Sequence, residues 1–113
     1  MTTAQKIEES GTRFVFSNGH GIAYFTDWFE RLTDLDKVDW DTVYAIIWKD
    51  TLDDLDRQRR KQAEFLVYRF CDWSWIMEIG VINQDMKYRV EEILAQFPED
   101  MRHPVTIKPD WYY

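Results

Sequence analysis

The residues of this chain with the clearest capacity for chemistry lie in one short window, where four cations precede a glutamate that opens an apolar run. The window reads Arg57-Gln58-Arg59-Arg60-Lys61-Gln62-Ala63-Glu64-Phe65-Leu66-Val67. Side chains alternate along an extended strand, so Gln62 and Glu64 are predicted to project from the same face. At the rim of a cleft, Glu64 could stabilise a developing cation or act as a base. The alternative is that Glu64 pairs with a nearby cation, or caps a turn, and has no chemical role.

A second candidate is the segment around His20. Arg13 to Phe16 is a short β-rich run, and Ser17-Asn18-Gly19-His20-Gly21 follows it with the residue types of a tight turn. From the residues alone, a purely structural turn is the favoured interpretation of this segment. His103 precedes Pro104 without a cluster of ligands, and the spacing of the two histidines predicts no metal site.

The secondary-structure elements that must position these residues are predicted to be short helices and strands. Apolar residues at Ile22, Phe25, Phe29 and Leu32 predict a helix, and Asp39 or Asp41 can cap a second one. The predicted second helix runs through Val43, Tyr44, Ile47 and Trp48, and Asp56 and Arg60 have the spacing of an ion pair on a helical turn. Phe65 to Val67 is predicted to be a central strand, because it is continuously apolar.

In the last third of the chain the pattern predicts a short helix capped by Asp72, a strand at Ile79 to Ile82 and a helix from Asp85 to Phe97. The helix should turn Met86, Val90, Ile93 and Leu94 inward, and Pro98 should end it. Val105 to Ile107 and Trp111 to Tyr113 are predicted to form an edge strand that Pro109 interrupts. Strands and helices without regular alternation indicate the α+β class.

Composition limits what the chain can be. Its 113 residues predict one domain at 13–113 after a polar leader at 1–12, and 19 aromatic residues favour a packed core. The net charge of −7 argues against a protein that coats nucleic acid through bulk charge, although a local basic site stays open. Cys71 is the single cysteine, which indicates a reducing compartment, and no segment has the ~20 apolar residues of a membrane span. These features predict a soluble protein of the cytoplasm.

Several separated blocks, in the same order, resemble the carboxy-terminal half of DarT-type DNA ADP-ribosyltransferases, toxins of bacterial toxin–antitoxin pairs. The blocks are Phe14 to His20, Asp39-Trp40, Trp48 to Thr51, Arg59 to Val67, Glu78 to Val81 and Val105 to Tyr113. The resemblance implies a partial ADP-ribosyltransferase-like fold. It also implies transfer of ADP-ribose from NAD, as co-substrate and without a metal, to thymidine in single-stranded DNA.

The resemblance also implies roles for individual residues. Gln62-Ala63-Glu64 matches the superfamily motif of Gln or Glu two residues before the catalytic glutamate, so Glu64 takes the catalytic position. His20 falls where the family has an active-site histidine, which would orient or polarise the thymine. The family uses the preceding segment to recognise its target, so Gln62 and the four cations are expected to bind substrate: Arg57, Arg59, Arg60 and Lys61.

One departure from the family pattern concerns its amino-terminal half, which supplies further NAD-binding groups and has no counterpart in these residues. The chain is therefore expected to be incomplete and inactive alone, with the missing half or an antitoxin as a protein partner. The alternative is a non-enzymatic module that binds DNA or protein through the truncated fold. Apolar surface and a strand edge left uncovered would also favour a homodimer or larger oligomer.

Overall fold

A computed structural model of the chain describes residues 1–112, and their contacts divide into two compact units. One unit is Ile7–Phe70, and the other combines Met1–Lys6 with the residues from Cys71 onward. The first residues form helix α1 (Ala4–Glu9), in which Ile7 is fully buried. The division into a leader at 1–12 and a domain at 13–113 stays a prediction. None of the helices in the described part of the chain is both long and apolar enough to cross a membrane.

The unit Ile7–Phe70 is built on a small antiparallel sheet with the order β2-β1-β3. Strand β1 (Phe14–Ser17) lies in the centre, flanked by β2 (Trp28–Phe29) and β3 (Phe65–Val67). Phe16 is 2% exposed, and its ring stacks on Phe65 at 6.1 Å and tilts against Phe29 at 5.5 Å. Aromatic side chains from all three strands therefore form the core of one sheet face.

The prediction that β3 is a central strand is wrong within the described residues, because β1 has that place and β3 is an edge. Its middle residue, Leu66, is 49% exposed. A short apolar run has the same composition whether one or both of its faces are covered, so sequence alone did not distinguish the two cases.

The helix predicted from Ile22 to Leu32 is also wrong. This segment forms tight turns, then β2, then a 3₁₀ helix at Leu32–Lys37, and Ile22 is 88% exposed. The carbonyl of His20 accepts hydrogen bonds from the Ala23 N–H at 3.1 Å and the Thr26 hydroxyl at 2.8 Å. Local hydrogen bonds of this kind compete with the backbone hydrogen bonds of a helix. Here they determine the structure, although the apolar residues have helical spacing.

The second predicted helix forms but is shorter than expected. Helix α2 (Trp40–Tyr44) begins after Asp39, whose carboxylate accepts the Thr42 N–H at 3.1 Å, so the predicted cap is confirmed. The helix ends at Ala45 and does not continue through Trp48. After an irregular segment, α3 (Arg57–Lys61) contains the basic run, and the predicted ion pair between Asp56 and Arg60 is present at 3.6 Å.

The second unit contains a parallel pair, β4 (Ile79–Val81) and β5 (Val105–Ile107), packed against α4 (Gln84–Leu94). Asn83 caps α4, and Asp72 caps a 3₁₀ helix at Trp73–Trp75 as predicted. The buried core of this unit is formed by Val81, Leu94 and Val105, with Ile79 and Val90 packed against them.

Two predictions for this second unit are wrong. Met86 and Ile93 are exposed on α4, because the helix has only one covered side. The last residues do not extend the β5 strand, since Pro109–Trp111 is a 3₁₀ helix with proline in its first turn. Tyr113, the end of that predicted strand, lies outside the described residues. The mixed helices and sheets confirm the α+β class.

Candidate active site

Glu64 sits immediately before β3, and its carboxylate lies against the turn that carries His20. A methyl group placed on Gly21 would be 2.8 Å from Oε2 of Glu64 and 2.9 Å from Cζ2 of Trp28. At these distances a side chain at position 21 would force Glu64 and Trp28 to shift, so the observed approach of the carboxylate to this backbone depends on glycine. The fold thus brings together the two predicted catalytic segments, which are more than 40 residues apart in sequence.

Ser17, at the end of β1, holds the backbone of Glu64 from both sides. The Ser17 N–H donates to the Glu64 carbonyl at 2.9 Å, and the Glu64 N–H donates to the Ser17 hydroxyl at 3.0 Å. The same hydroxyl donates to the Gly19 carbonyl at 2.6 Å. Because Ser17 is fully buried, these bonds are shielded from water and link the glutamate to the His20 turn.

Removal of the Ser17 hydroxyl is expected to loosen this link. Ser17→Ala leaves the Glu64 N–H without its acceptor and the Gly19 carbonyl without its donor, which should lower the free energy of unfolding by about 1–3 kcal/mol. Ser17→Thr keeps the hydroxyl and should lose less. Denaturant unfolding of both variants measures the difference, and equal stability of the two variants would contradict a structural role for the hydroxyl.

The ring of His20 is oriented by its own turn. Its Nδ1 accepts the Ile22 N–H at 3.1 Å, which assigns the proton of the neutral ring to Nε2. The His20 N–H in turn donates to the Arg59 carbonyl at 2.9 Å, so the end of α3 and the His20 turn are tied through backbone. The imidazole can therefore present Nε2–H as a donor.

Arg59 ties α3 to the His20 turn through its side chain as well. Its guanidinium donates two bonds of 2.7 Å to Asp56 and a third of 3.2 Å to the Thr26 hydroxyl, and it lies 4.5 Å from the centre of the Phe25 ring. It also packs directly on Gly19. Hydrogen bonding from Arg59 lowers the pKa of the Asp56 carboxyl. Arg59 is thus part of the scaffold around the turn.

Arg60 forms the centre of a second cluster. Its guanidinium makes short contacts with the carboxylates of Asp39 and Asp54, and it donates to the Thr42 hydroxyl at 3.1 Å. The bond to Asp54 is the main reason that the pKa of Arg60 is raised, and the same bond lowers the pKa of Asp54. The pKa of Asp39 is lowered chiefly by the backbone N–H of Thr42. Arg60 therefore joins the start of α2 to the segment that precedes α3.

The remaining two cations of the basic run also have partners within the protein. Lys61 is buried, and its ammonium donates to the carbonyls of Val43 and Ala45 at the end of α2. Burial, followed by the charge of Arg57, lowers the pKa of Lys61. Arg57 donates to the Ile47 carbonyl at 3.0 Å and lies 3.6 Å from Asp54.

This arrangement lacks the ion pair that the alternative interpretation of Glu64 requires. Among residues 1–112, every cation of α3 is bonded to an aspartate or a carbonyl, and the Glu64 carboxylate takes part in no hydrogen bond or ion pair. The alternative that Glu64 pairs with a neighbouring cation is therefore wrong. A half-buried carboxylate that has no protein partner among the described residues is a candidate to bind a ligand.

The predicted geometry of Gln62 is wrong, although its substrate-binding role stays a prediction. Gln62 is the residue that ends α3, with φ −93° and ψ 27°, so it is not extended and the alternation rule does not relate its side chain to that of Glu64. The reason is that the basic run forms a helical turn up to Lys61, and the strand begins only at Phe65.

Sequence reasoning missed the residues that support the site. Ser17 was predicted only as part of a turn, and Trp28 lies in a segment that was predicted to be a helix but forms strand β2. The ion pairs of Asp54 with Arg57 and of Asp56 with Arg59 were not predicted, although their separation by three residues is typical of helical ion pairs.

The site as a whole combines a carboxylate without a partner, an oriented imidazole and a glycine-lined turn. Such a set can stabilise positive charge on a sugar or move a proton. Within residues 1–112 the structure contains no group of three or more His, Cys, Asp or Glu residues that could hold a metal ion.

Comparison with known families defines the class. The whole chain, residues 1–113, matches the family described as "DarT: ssDNA thymidine ADP-ribosyltransferase". The chain therefore belongs to the DarT family, and the resemblance noted from its sequence is confirmed.

Similar proteins are known from several bacteria. The chain is 39% identical over 113 residues to a DNA ADP-ribosyl transferase of Thermus sp. (strain 2.9) and 37% identical to one of Thermus aquaticus. It covers 53% and 48% of those two proteins, so it spans about half the length of the curated relatives that it matches. A relative in Escherichia coli O127:H6 is 27% identical over 100 residues.

Solved structures agree with the sequence comparison. Thermus sp. 2.9 DarT in complex with NAD+ superposes with a TM-score of 0.89 at 38% identity, over 99% of this chain and 55% of that one. The same protein in complex with ADP-ribosylated ssDNA also gives a TM-score of 0.89, and covers 52% of that chain. The predicted partial ADP-ribosyltransferase-like fold is therefore confirmed.

Proposed function

We propose that this chain supplies Glu64 and His20 to a reaction in which ADP-ribose is transferred from NAD to thymidine in single-stranded DNA. The observation that carries the proposal is the Glu64 carboxylate, which has no protein partner in the described residues and lies against the turn of His20. The family match and the complexes of Thermus sp. 2.9 DarT with NAD+ and with ADP-ribosylated ssDNA support it.

In this reaction the bond between the nicotinamide nitrogen and the ribose carbon of NAD breaks, and nicotinamide leaves as a neutral molecule. The ribose carbon becomes strongly cationic, and Glu64 holds a ribose hydroxyl and stabilises that charge. A nitrogen of the thymine base then bonds to the same carbon and loses its proton, which Glu64 accepts or passes to water. His20 orients the base by donating from Nε2–H.

The residues around Glu64 suit this task because they fix its backbone and leave its carboxylate available. Ser17 holds the main chain, and Gly21 gives room for the sugar-facing side of the carboxylate. A carboxylate that is positioned in advance needs little reorganisation when charge develops.

The substrate-binding roles of Gln62, Arg57, Arg59, Arg60 and Lys61 remain part of the proposal in a narrower form. The cations already bond to protein groups. DNA phosphates would therefore bind to the N–H donors of these cations that do not bond to Asp39, Asp54 or Asp56. In this proposal the principal role of α3 is structural, because it fixes the conformation of the short loop that leads to Glu64.

The wider role that we propose is that of a DarT-like toxin component acting in the cytoplasm beside an antitoxin. The chain spans about half of its relatives, and we propose that it is inactive until the other half of the fold is supplied. Without the NAD-binding groups of that other half, NAD would lose much of its binding surface.

The experiment that tests the function is a chimera in which this chain replaces the matched half of Thermus sp. 2.9 DarT. Labelled NAD should give labelled product on a single strand that contains thymidine and none on a strand in which every thymidine is replaced. The chain alone, assayed in parallel, should give no product. A folded chimera that labels neither strand, or both equally, would overturn the proposal.

A further inference from the structure

Thr26 is a buried residue whose hydroxyl lies between the His20 turn and helix α3. Its Oγ1 donates to the His20 carbonyl at 2.8 Å and accepts an N–H from the Arg59 guanidinium at 3.2 Å. The residue is 8% exposed, so both bonds are shielded from water and are stronger than the same bonds on a surface. Both are made by the side chain and neither belongs to a strand ladder, so the sheet does not need this hydroxyl in order to pair its strands.

The guanidinium that meets Thr26 is itself held in place. Asp56 accepts two bonds of 2.7 Å from Arg59, which fixes the plane of the guanidinium and directs its Nη1–H at Thr26. The turn allows this approach at Gly19, where an added methyl group would collide with Nη1 of Arg59 and lie 3.1 Å from Oγ1 of Thr26. The series of bonds from Asp56 through Arg59 and Thr26 therefore ends at the His20 backbone in one defined arrangement.

The two backbone polar groups of His20 are bonded to these same two residues. Its N–H donates to the Arg59 carbonyl at 2.9 Å, and its carbonyl accepts the Thr26 hydroxyl. With the backbone held in this way, the Ile22 N–H reaches Nδ1 of the ring at 3.1 Å, and that bond sets the orientation of the imidazole. Loss of the Thr26 hydroxyl should therefore change the ring as well as the stability of the turn.

From this geometry we infer that Thr26 is a positioning residue for His20, and that Asp56 and Arg59 act through it. The hydroxyl bonds on both its donor and its acceptor side, so its role is to keep Nε2–H of His20 directed at the thymine. The inference rests on the proposed function, because the proposed reaction is what gives the oriented imidazole a use. The orientation itself can be measured without NAD or DNA.

The test measures the His20 ring and the reaction separately. Thr26→Val keeps the shape of the side chain and removes the hydroxyl, whereas Thr26→Ser keeps the hydroxyl. In the full chain, at a pH at which a histidine ring is neutral, hydrogen exchange at the Ile22 amide reports how firmly Nδ1 holds that N–H. Thr26→Val should speed this exchange about fivefold, and Thr26→Ser should restore the rate of the parent. In the chimera, Thr26→Val should lower kcat for transfer to DNA about tenfold and leave KM for NAD unchanged.

Thr42→Val is the matched control, because Thr42 is also buried and its hydroxyl also lies between an arginine of α3 and an acceptor. The hydroxyl accepts from Arg60 at 3.1 Å and donates to Asp39 at 2.9 Å. This variant should lose stability without changing exchange at Ile22. Asp56→Asn, at a partly exposed position, weakens the hold on Arg59 and should speed the same exchange even if Thr26→Val does not fold.

The outcomes separate this inference from the proposed function. Unchanged exchange at Ile22 in each variant that folds would overturn the inference, and so would an equal acceleration in Thr42→Val. Faster exchange combined with the kcat of the parent would also overturn it, because the orientation of the ring would then have no effect on the reaction. A parent chimera without activity would overturn the proposed function, whereas faster exchange in Thr26→Val and not in Thr42→Val would still support the role of Thr26 in orienting His20.

Discussion

Glu64→Gln in the chimera with Thermus sp. 2.9 DarT is expected to reduce ADP-ribose transfer at least ~100-fold. The amide keeps the size of the side chain and can still bond to a ribose hydroxyl, but it carries no charge to stabilise the cationic ribose and cannot accept a proton. The carboxylate has no protein partner in the described residues, so its replacement should not change the melting temperature. Initial rates of product formation and thermal unfolding, measured on the same preparation, give both quantities.

The matched control for this substitution is Glu92→Gln, which makes the same chemical change on an exposed position of α4. It should leave the rate unchanged. A chimera with Glu64→Gln that retains more than a tenth of the parent rate would show that another group stabilises the charge, and the catalytic assignment would fail.

Gly21→Ala is expected to reduce transfer by about 100-fold while the protein stays folded. The added methyl group would lie 2.8 Å from Oε2 of Glu64, and the end of a glutamate side chain can move aside at little energetic cost. The fold is therefore preserved, but the carboxylate leaves the position in which it meets the sugar. The indole of Trp28, 2.9 Å from the same methyl group, would also have to shift.

The informative comparison is with Ile22→Ala in the same turn. Ile22 is almost fully exposed, so its shortening should alter neither rate nor stability. If Gly21→Ala unfolds the protein, the Glu64 carboxylate does not move aside and the prediction is wrong. If it leaves the rate unchanged, the close approach of Glu64 to this turn has no role in catalysis.

Sequence reasoning succeeded where one local signal determines the structure. The Asp39, Asp72 and Asn83 positions show how a polar side chain at the start of a helix fixes its beginning, and the first two were predicted. The strands at Ile79–Val81 and Val105–Ile107 were also predicted, because each is a short β-branched run bounded by turn residues.

It failed where the outcome depends on which distant groups meet. The apolar period after Gly21 predicted a helix, but the bonds to the His20 carbonyl and the pairing of β2 with β1 decided the structure. The catalytic position of Glu64 was recognised through the family resemblance, whereas its freedom from the neighbouring cations depends on Asp39, which lies 21 residues before Arg60. No pattern within the window from Arg57 to Val67 could have revealed that partner.

The cluster around Arg60 has a consequence for how this protein can change over evolutionary time. Arg60 holds Asp39 and Asp54 at the two ends of a segment whose middle exposes Ile46 and Leu52 almost completely. Because both ends are anchored to the same guanidinium, we expect substitutions at its exposed positions, such as Ile46 and Leu52, to leave Glu64 in place. Exposed positions of this segment can therefore change without displacing the glutamate.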